Sequence, residues 1–156
     1  MKTLLCLLTA AAALGVAPTF TATVAAADAP HEHSRKGQGG PNGGRLLETE
    51  PHAEFLIEKD RSVTVRFFTD DLKPVAAAGQ TVTVLADPKA GKTRVEFEKS
   101  GEVLKSKTRL PEGDGYNLVV QVRSKPDAKP QNFRFKLDLA TCGECKRGEY
   151  ACICAH

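Results

Sequence analysis

Tryptophan is absent from the 156 residues, methionine occurs only as Met1, and no cysteine lies between Cys6 and Cys142. Without tryptophan or a cysteine inside the patterned central stretch, an antibody-type intersheet disulfide is excluded. Any core must hold through burial of Val, Leu, Ile and Phe alone. With Met1 the sole methionine, and no isolated Cys flanked by two spaced histidines, a blue-copper site lacks its ligand set. Beyond the first residues no run of about 20 apolar side chains appears, so no membrane span is expected. Basic stripes and aromatic platforms are missing too, which argues against nucleic acid as a partner. Signals of catalysis are equally scarce. Carboxylates fall singly along the pattern, there is no nucleophile elbow, and the glycines from Gly37 to Gly44 neither follow a strand nor open a helix. The chain is not expected to be an enzyme.

The beginning of the chain reads as an address. Lys2 is followed by an apolar, Ala-rich run from Leu4 to Val16, and Ala25-Ala26-Ala27 offers a small-residue cleavage pattern before Asp28. Residues 1–27 are therefore expected to be a secretory signal peptide that carries Cys6 away with it, leaving a periplasmic or secreted protein. Cleavage there leaves 129 residues and removes one of 22 basic side chains against 19 acidic ones, so the processed chain carries a net charge of +2. A chain of that size builds one core, not two. Residues 28–44, with His31-Glu32-His33 and a cluster of glycines around Pro41-Asn42, have too little apolar surface to order themselves. They are expected to form a flexible arm whose histidines are solvated. Nothing in the sequence draws that arm toward the other end of the chain.

From Arg45 the apolar period is two. Ala53, Phe55 and Ile57, then Val63, Val65 and Phe67, alternate with polar neighbours across a Lys59-Asp60-Arg61 turn, as a hairpin does. Further strands are expected at Thr81 to Leu85, Arg94 to Glu98, Glu102 to Lys105, Tyr116 to Val122 and Phe133 to Leu139, separated by turn signals such as Asp87-Pro88 and Leu110-Pro-Glu-Gly-Asp-Gly115. About seven short strands and no helical window point to an all-β fold, an antiparallel β-sandwich of Ig-like proportions over residues 45–140, with a cysteine-rich C-terminal tail at 141–156. The tail lies beyond the last strand. It is expected to be an appendage to a sandwich that folds without it.

That tail concentrates the chemistry. Cys142, Cys145, Cys152, Cys154 and His156 form C-x2-C-x6-C-x-C-x-H, in which the two residues of Gly143-Glu144 let a pair of thiolates converge on one ion. If the chain is extended from Tyr150 to His156, then Cys152, Cys154 and His156 project from one side. A tetrahedral site of four thiolates, or three and an imidazole, is then reachable, and thiolate-rich ligation suits Zn2+ or Cu+. The alternative is a non-enzymatic interaction module whose tail is pinned by two disulfides. An i,i+2 bridge between Cys152 and Cys154 would span roughly 6.5 to 7 Å between Cα atoms, so such a module needs cross-pairs between the two halves of the tail. A disulfide framework has no use for His156. Thiol/disulfide exchange through Cys142 and Cys145 is disfavoured because the pair follows a strand instead of opening a helix.

The segment Gly39-Gly-Pro-Asn-Gly-Gly-Arg-Leu-Leu-Glu48, followed by the alternating strand from Ala53, resembles the opening of the small N-terminal β-domain of periplasmic adaptor subunits in heavy-metal efflux systems of the resistance-nodulation-division type. His31 and His33 stand where that family often has a histidine-rich segment. The chain departs from the family in having no long helical hairpin, no lipoyl-like halves and no following barrel. The resemblance therefore implies an exported accessory domain in metal handling, with heavy-metal efflux components as partners, and not the adaptor's bridging role. The cysteine tail is no part of the match.

Overall fold

The computed structural model describes residues 39–154. The expected signal peptide, most of the expected arm with His31 and His33, and His156 lie outside the described residues. Nine strands follow one another: β1 (Arg45–Leu47), β2 (His52–Ile57), β3 (Val63–Phe68), β4 (Pro74–Val75), β5 (Thr81–Asp87), β6 (Thr93–Ser100), β7 (Val103–Ser106), β8 (Asn117–Arg123) and β9 (Gln131–Lys136). All seven expected strands are present, with ends shifted by a few residues. β1 and β4, three and two residues long, are additional. Neither is long enough to display an alternation. Among the described residues there is no α-helix, and none is long and apolar enough to cross a membrane.

Every pairing is antiparallel, and the order is β1-β2-β3-β7-β6-β5-β8-β9, with β4 beside β3. β6 makes the corner. Its first half, Thr93 to Glu96, pairs with β5, and its second half, Phe97 to Ser100, pairs with β7. One strand thus serves both layers of the sandwich, as strands at sandwich corners do. Val82, Val84 and Ala86 of β5 and Leu118, Val120 and Val122 of β8 face Phe55, Val63, Val65 and Phe67 across the core.

The order leaves β1 and β9 as the two free edges, and an unprotected pair of edges invites pairing with other chains. Here they are brought together. The Phe55 and Phe135 rings meet edge-on, with centroids 5.7 Å apart and planes at 75°, and the Arg45 guanidinium lies 4.8 Å above Phe135. The chain then returns after β9 to fill the seam. Glu149 and Tyr150 donate their amides to the carbonyls of Ala140 (2.8 Å) and Asp138 (3.0 Å). Arg45 Nη1 donates to the Tyr150 carbonyl at 3.1 Å, and the Tyr150 hydroxyl accepts the Ile57 N–H at 2.9 Å, where β1 no longer covers β2.

Two expectations are corrected by this arrangement. The tail is no appendage, because Tyr150, Ala151 and Cys142 are buried and the first two belong to the apolar core itself. Nor does the arm run free as far as Gly44. Gly40 to Gly44 closes into a loop, with Gly40 N–H on Gly44 O (3.0 Å) and Gly43 N–H on Gly40 O (3.1 Å), Gly43 sitting at φ 92°. The physical reason is a buried anion instead of apolar surface. The Glu54 carboxylate, fully buried on β2, accepts from the Asn42 amide (2.7 Å), Asn42 Nδ2 (2.7 Å) and the Gly44 amide (2.9 Å). Hydrogen bonds to a charged acceptor are strong enough to order a segment that has no apolar side chains of its own.

Candidate metal centre

The cysteines sit on a returning turn. Thr141 and Gly148 form an antiparallel bridge, the Cys142 amide donates to Arg147 O (2.7 Å), and the Lys146 amide donates to Cys142 O (3.1 Å). Lys146 closes the turn from the left-handed region at φ 59°. Cys142 and Cys145 are thereby presented on one side. Gly148 leads into a single 3-10 turn, Glu149–Ala151, after which Cys152 is extended at φ −62° and ψ 139°. The expected strand from Tyr150 onward is therefore broken at its start. Burying the Tyr150 ring pulls residues 149–151 into a turn, stitched by Ala151 N–H on Gly148 O and Cys152 N–H on Glu149 O. Only past that turn does the chain present Cys152 and Cys154 to the other pair.

The four sulfurs converge. Cys142 Sγ lies 3.4 Å from Cys152 Sγ and 3.8 Å from Cys154 Sγ, Cys145 Sγ lies 3.8 Å from Cys152 Sγ, and all four fall within 4.8 Å of one another. A tetrahedron of metal–sulfur bonds of about 2.3 Å has sulfur–sulfur edges of about 3.8 Å, so these residues fit a single four-coordinate ion. None of the four is in a disulfide, and Cys142 is buried while the other three are half-buried. Four close cysteines here can hold a metal ion.

Their acidities are not alike. The amides of Ile153 and Arg147 point at the Cys145 sulfur and lower its pKa to about 6, so that this thiol is ionised at neutral pH. The Cys154 thiol bonds to the Glu144 carboxylate, and this, with burial and the other three thiols, raises it far above the ordinary range. At Cys152 the Cys154 amide, 3.4 Å away, favours the thiolate, but burial and the thiols of Cys142 and Cys145 outweigh it and the pKa is raised. One negative charge is thus welcome in the cluster and further ones are not, unless a cation arrives with them. With one of the four thiol ligands already ionised, ion binding must expel three protons, which corresponds to about a 1000-fold fall in apparent affinity for each pH unit lost near neutrality. Chelator-competition titrations between about pH 6.5 and 7.5 check this slope. An affinity independent of pH would show that the thiols are not the ligands.

No family model, curated protein or solved structure matches this chain.

The structure brings together Cys142, Cys145, Cys152 and Cys154, and His156 lies outside the described residues. Three residues that matter here were not singled out from the sequence. Glu54 occupies the polar phase of a strand, where alternation predicts solvent. Tyr150 is one aromatic in a run without periodicity. Arg147 reads as an ordinary charged residue, yet its Nη1 donates to Gly40 O at 3.0 Å and Gly44 O at 3.2 Å. The available signal was the run Gly39-Gly40-Pro41-Asn42-Gly43-Gly44. A Cβ on Gly40 would lie 2.3 Å from the Glu54 carboxylate and one on Gly39 2.3 Å from the Arg147 guanidinium, so those glycines mark where side chains approach the backbone.

Proposed function

We propose that this chain is an exported, non-catalytic metal-binding protein that holds one soft or borderline ion, Zn2+ or Cu+, on the thiolates of Cys142, Cys145, Cys152 and Cys154. The observation that carries the reading is the mutual approach of all four sulfurs at edges suited to one ion. Cys142 and Cys152 each contact two other sulfurs, a closed set and not two separate pairs. Tetrahedral four-sulfur coordination favours Zn2+, with Cu+ the softer rival. His156, two residues beyond Cys154, is a fifth donor that would replace a thiolate or water at an exposed side of the ion. The leader-like start supports a periplasmic or secreted location. The resemblance around Gly39 to Glu48 supports a link to heavy-metal efflux components, for which uptake, buffering or hand-over of the ion is the fitting task.

Titration of the reduced protein with Zn2+ or Cu+ should saturate at about one ion per chain. Native mass spectrometry of protein recovered from an exported fraction should show that ion retained. A species lighter than the reduced chain by about 4 Da, the four hydrogens of two disulfides, would make the tail a redox staple and overturn the reading.

A further inference from the structure

Arg147 occupies a place that no ligand role explains. Its backbone belongs to the sulfur centre, the carbonyl accepting the Cys142 amide at 2.7 Å and the amide pointing at the Cys145 sulfur. Its side chain belongs to the other end of the domain. The guanidinium donates to the carbonyls of Gly40 and Gly44, residues more than a hundred positions away, and Gly39 packs against it so closely that a Cβ would collide. The loop so held is the one that encloses the buried Glu54 carboxylate. One nitrogen, Nη1, serves both carbonyls, and the rigid guanidinium plane fixes the direction of its two N–H bonds in a way the freely rotating ammonium of a lysine does not.

We infer that Arg147 is a positioning residue through which the sulfur centre and the Gly40–Gly44 loop are coupled. Filling the centre fixes the turn from Cys142 to Gly148 and so fixes where the guanidinium points, and a guanidinium held by the two carbonyls in turn fixes the turn. Residues that orient a ligand set without touching the ion commonly carry about 10- to 100-fold of its affinity. Thermodynamic reciprocity then requires that the ion protect the loop by the same factor by which the loop tightens the ion. The Gly40–Gly44 loop would thus be held more firmly on the loaded protein than on the free one.

The inference rests on metal binding as proposed above, and one set of measurements separates the two. Wild type, Arg147→Ala and Gly39→Ala are compared for Zn2+ affinity by chelator competition and for hydrogen exchange at the Gly40 and Gly44 amides with and without Zn2+. Gly39→Ala is the cleaner variant, because the three atoms nearest the added methyl all belong to the movable end of the arginine and no ligand is altered. In the wild type, Zn2+ should slow exchange at both amides by about tenfold or more. Both variants should lose that slowing and bind Zn2+ more weakly by a matching factor, still at one ion per chain. The thermal midpoint of the zinc-free protein should fall modestly in Arg147→Ala, which loses the hydrogen bonds to Gly40 and Gly44, so the coupling is read from affinity and exchange. Exchange in the wild type that ignores Zn2+, or full Zn2+ affinity in Gly39→Ala, overturns the coupling while leaving the metal reading standing. So does a lowered zinc-free midpoint with unchanged affinity, the mark of a purely structural contact. Failure of the wild type to bind Zn2+ at all overturns both.

Discussion

Deleting residues 141–156 is expected to abolish cooperative unfolding. Tyr150 is 6% exposed and Ala151 2% exposed, both packed in the central core, and Cys142 is buried beside them. Removing a buried aromatic alone costs about 3–5 kcal/mol, against a total stability of about 5–15 kcal/mol for a domain of this kind. The deletion also takes away the acceptor for the Ile57 N–H, the carbonyl that anchors Arg45 and the guanidinium that holds Gly40 and Gly44. Thermal or urea unfolding followed by circular dichroism checks the result, with Tyr150→Ala as the graded version, expected to lose about 3–5 kcal/mol. Tyr150→Phe keeps the ring and leaves only the Ile57 amide without its partner, a loss of about 1 kcal/mol. A deletion variant that melts as sharply as the full chain would return the tail to the status of an appendage.

The second large effect concerns the ligands. Replacing Cys152 and Cys154 together by serine removes two of four sulfurs, both half-buried, without opening the core. Structural zinc sites bind with about 10–16 kcal/mol in all, so losing half the donors should weaken Zn2+ binding by at least about a thousandfold. The zinc-free fold should survive, which circular dichroism on the same sample verifies. Cys142→Ser is a poorer test because it puts a hydroxyl at a buried position. His156→Ala should weaken binding by about tenfold at most, since four close cysteines already make up a tetrahedral set and imidazole is the harder donor. Undiminished affinity in the double variant would remove the basis for the proposed function.

The strands were legible because their side chains obey a two-residue rhythm that burial on one face imposes. Val82, Val84 and Ala86, or Leu118, Val120 and Val122, can be read straight from the chain. The rhythm says nothing about strands of two or three residues, so β1 and β4 left no trace. It actively misleads at Glu54, whose phase points away from the core but toward a loop that covers it. The cysteines were legible for a different reason, since their donor chemistry announces itself whatever the backbone does. What the sequence could not convey was the turn at Glu149–Ala151 that aims them, because one buried ring sets that turn and a single residue has no period. The glycine run marked close approach, but not that the visitors would be a carboxylate from β2 and a guanidinium from the cysteine turn.

The contact that shuts the seam joins Arg45 to Tyr150, 105 positions apart. A ribosome therefore releases all nine strands before it releases the residue that locks them together. Until Tyr150 emerges, β1 and β9 stand open as templates for any passing strand. Long-range closure of this sort is slow compared with local pairing. A message cut short just before the Tyr150 codon would accordingly give not a slightly smaller domain but one caught at its most adhesive stage.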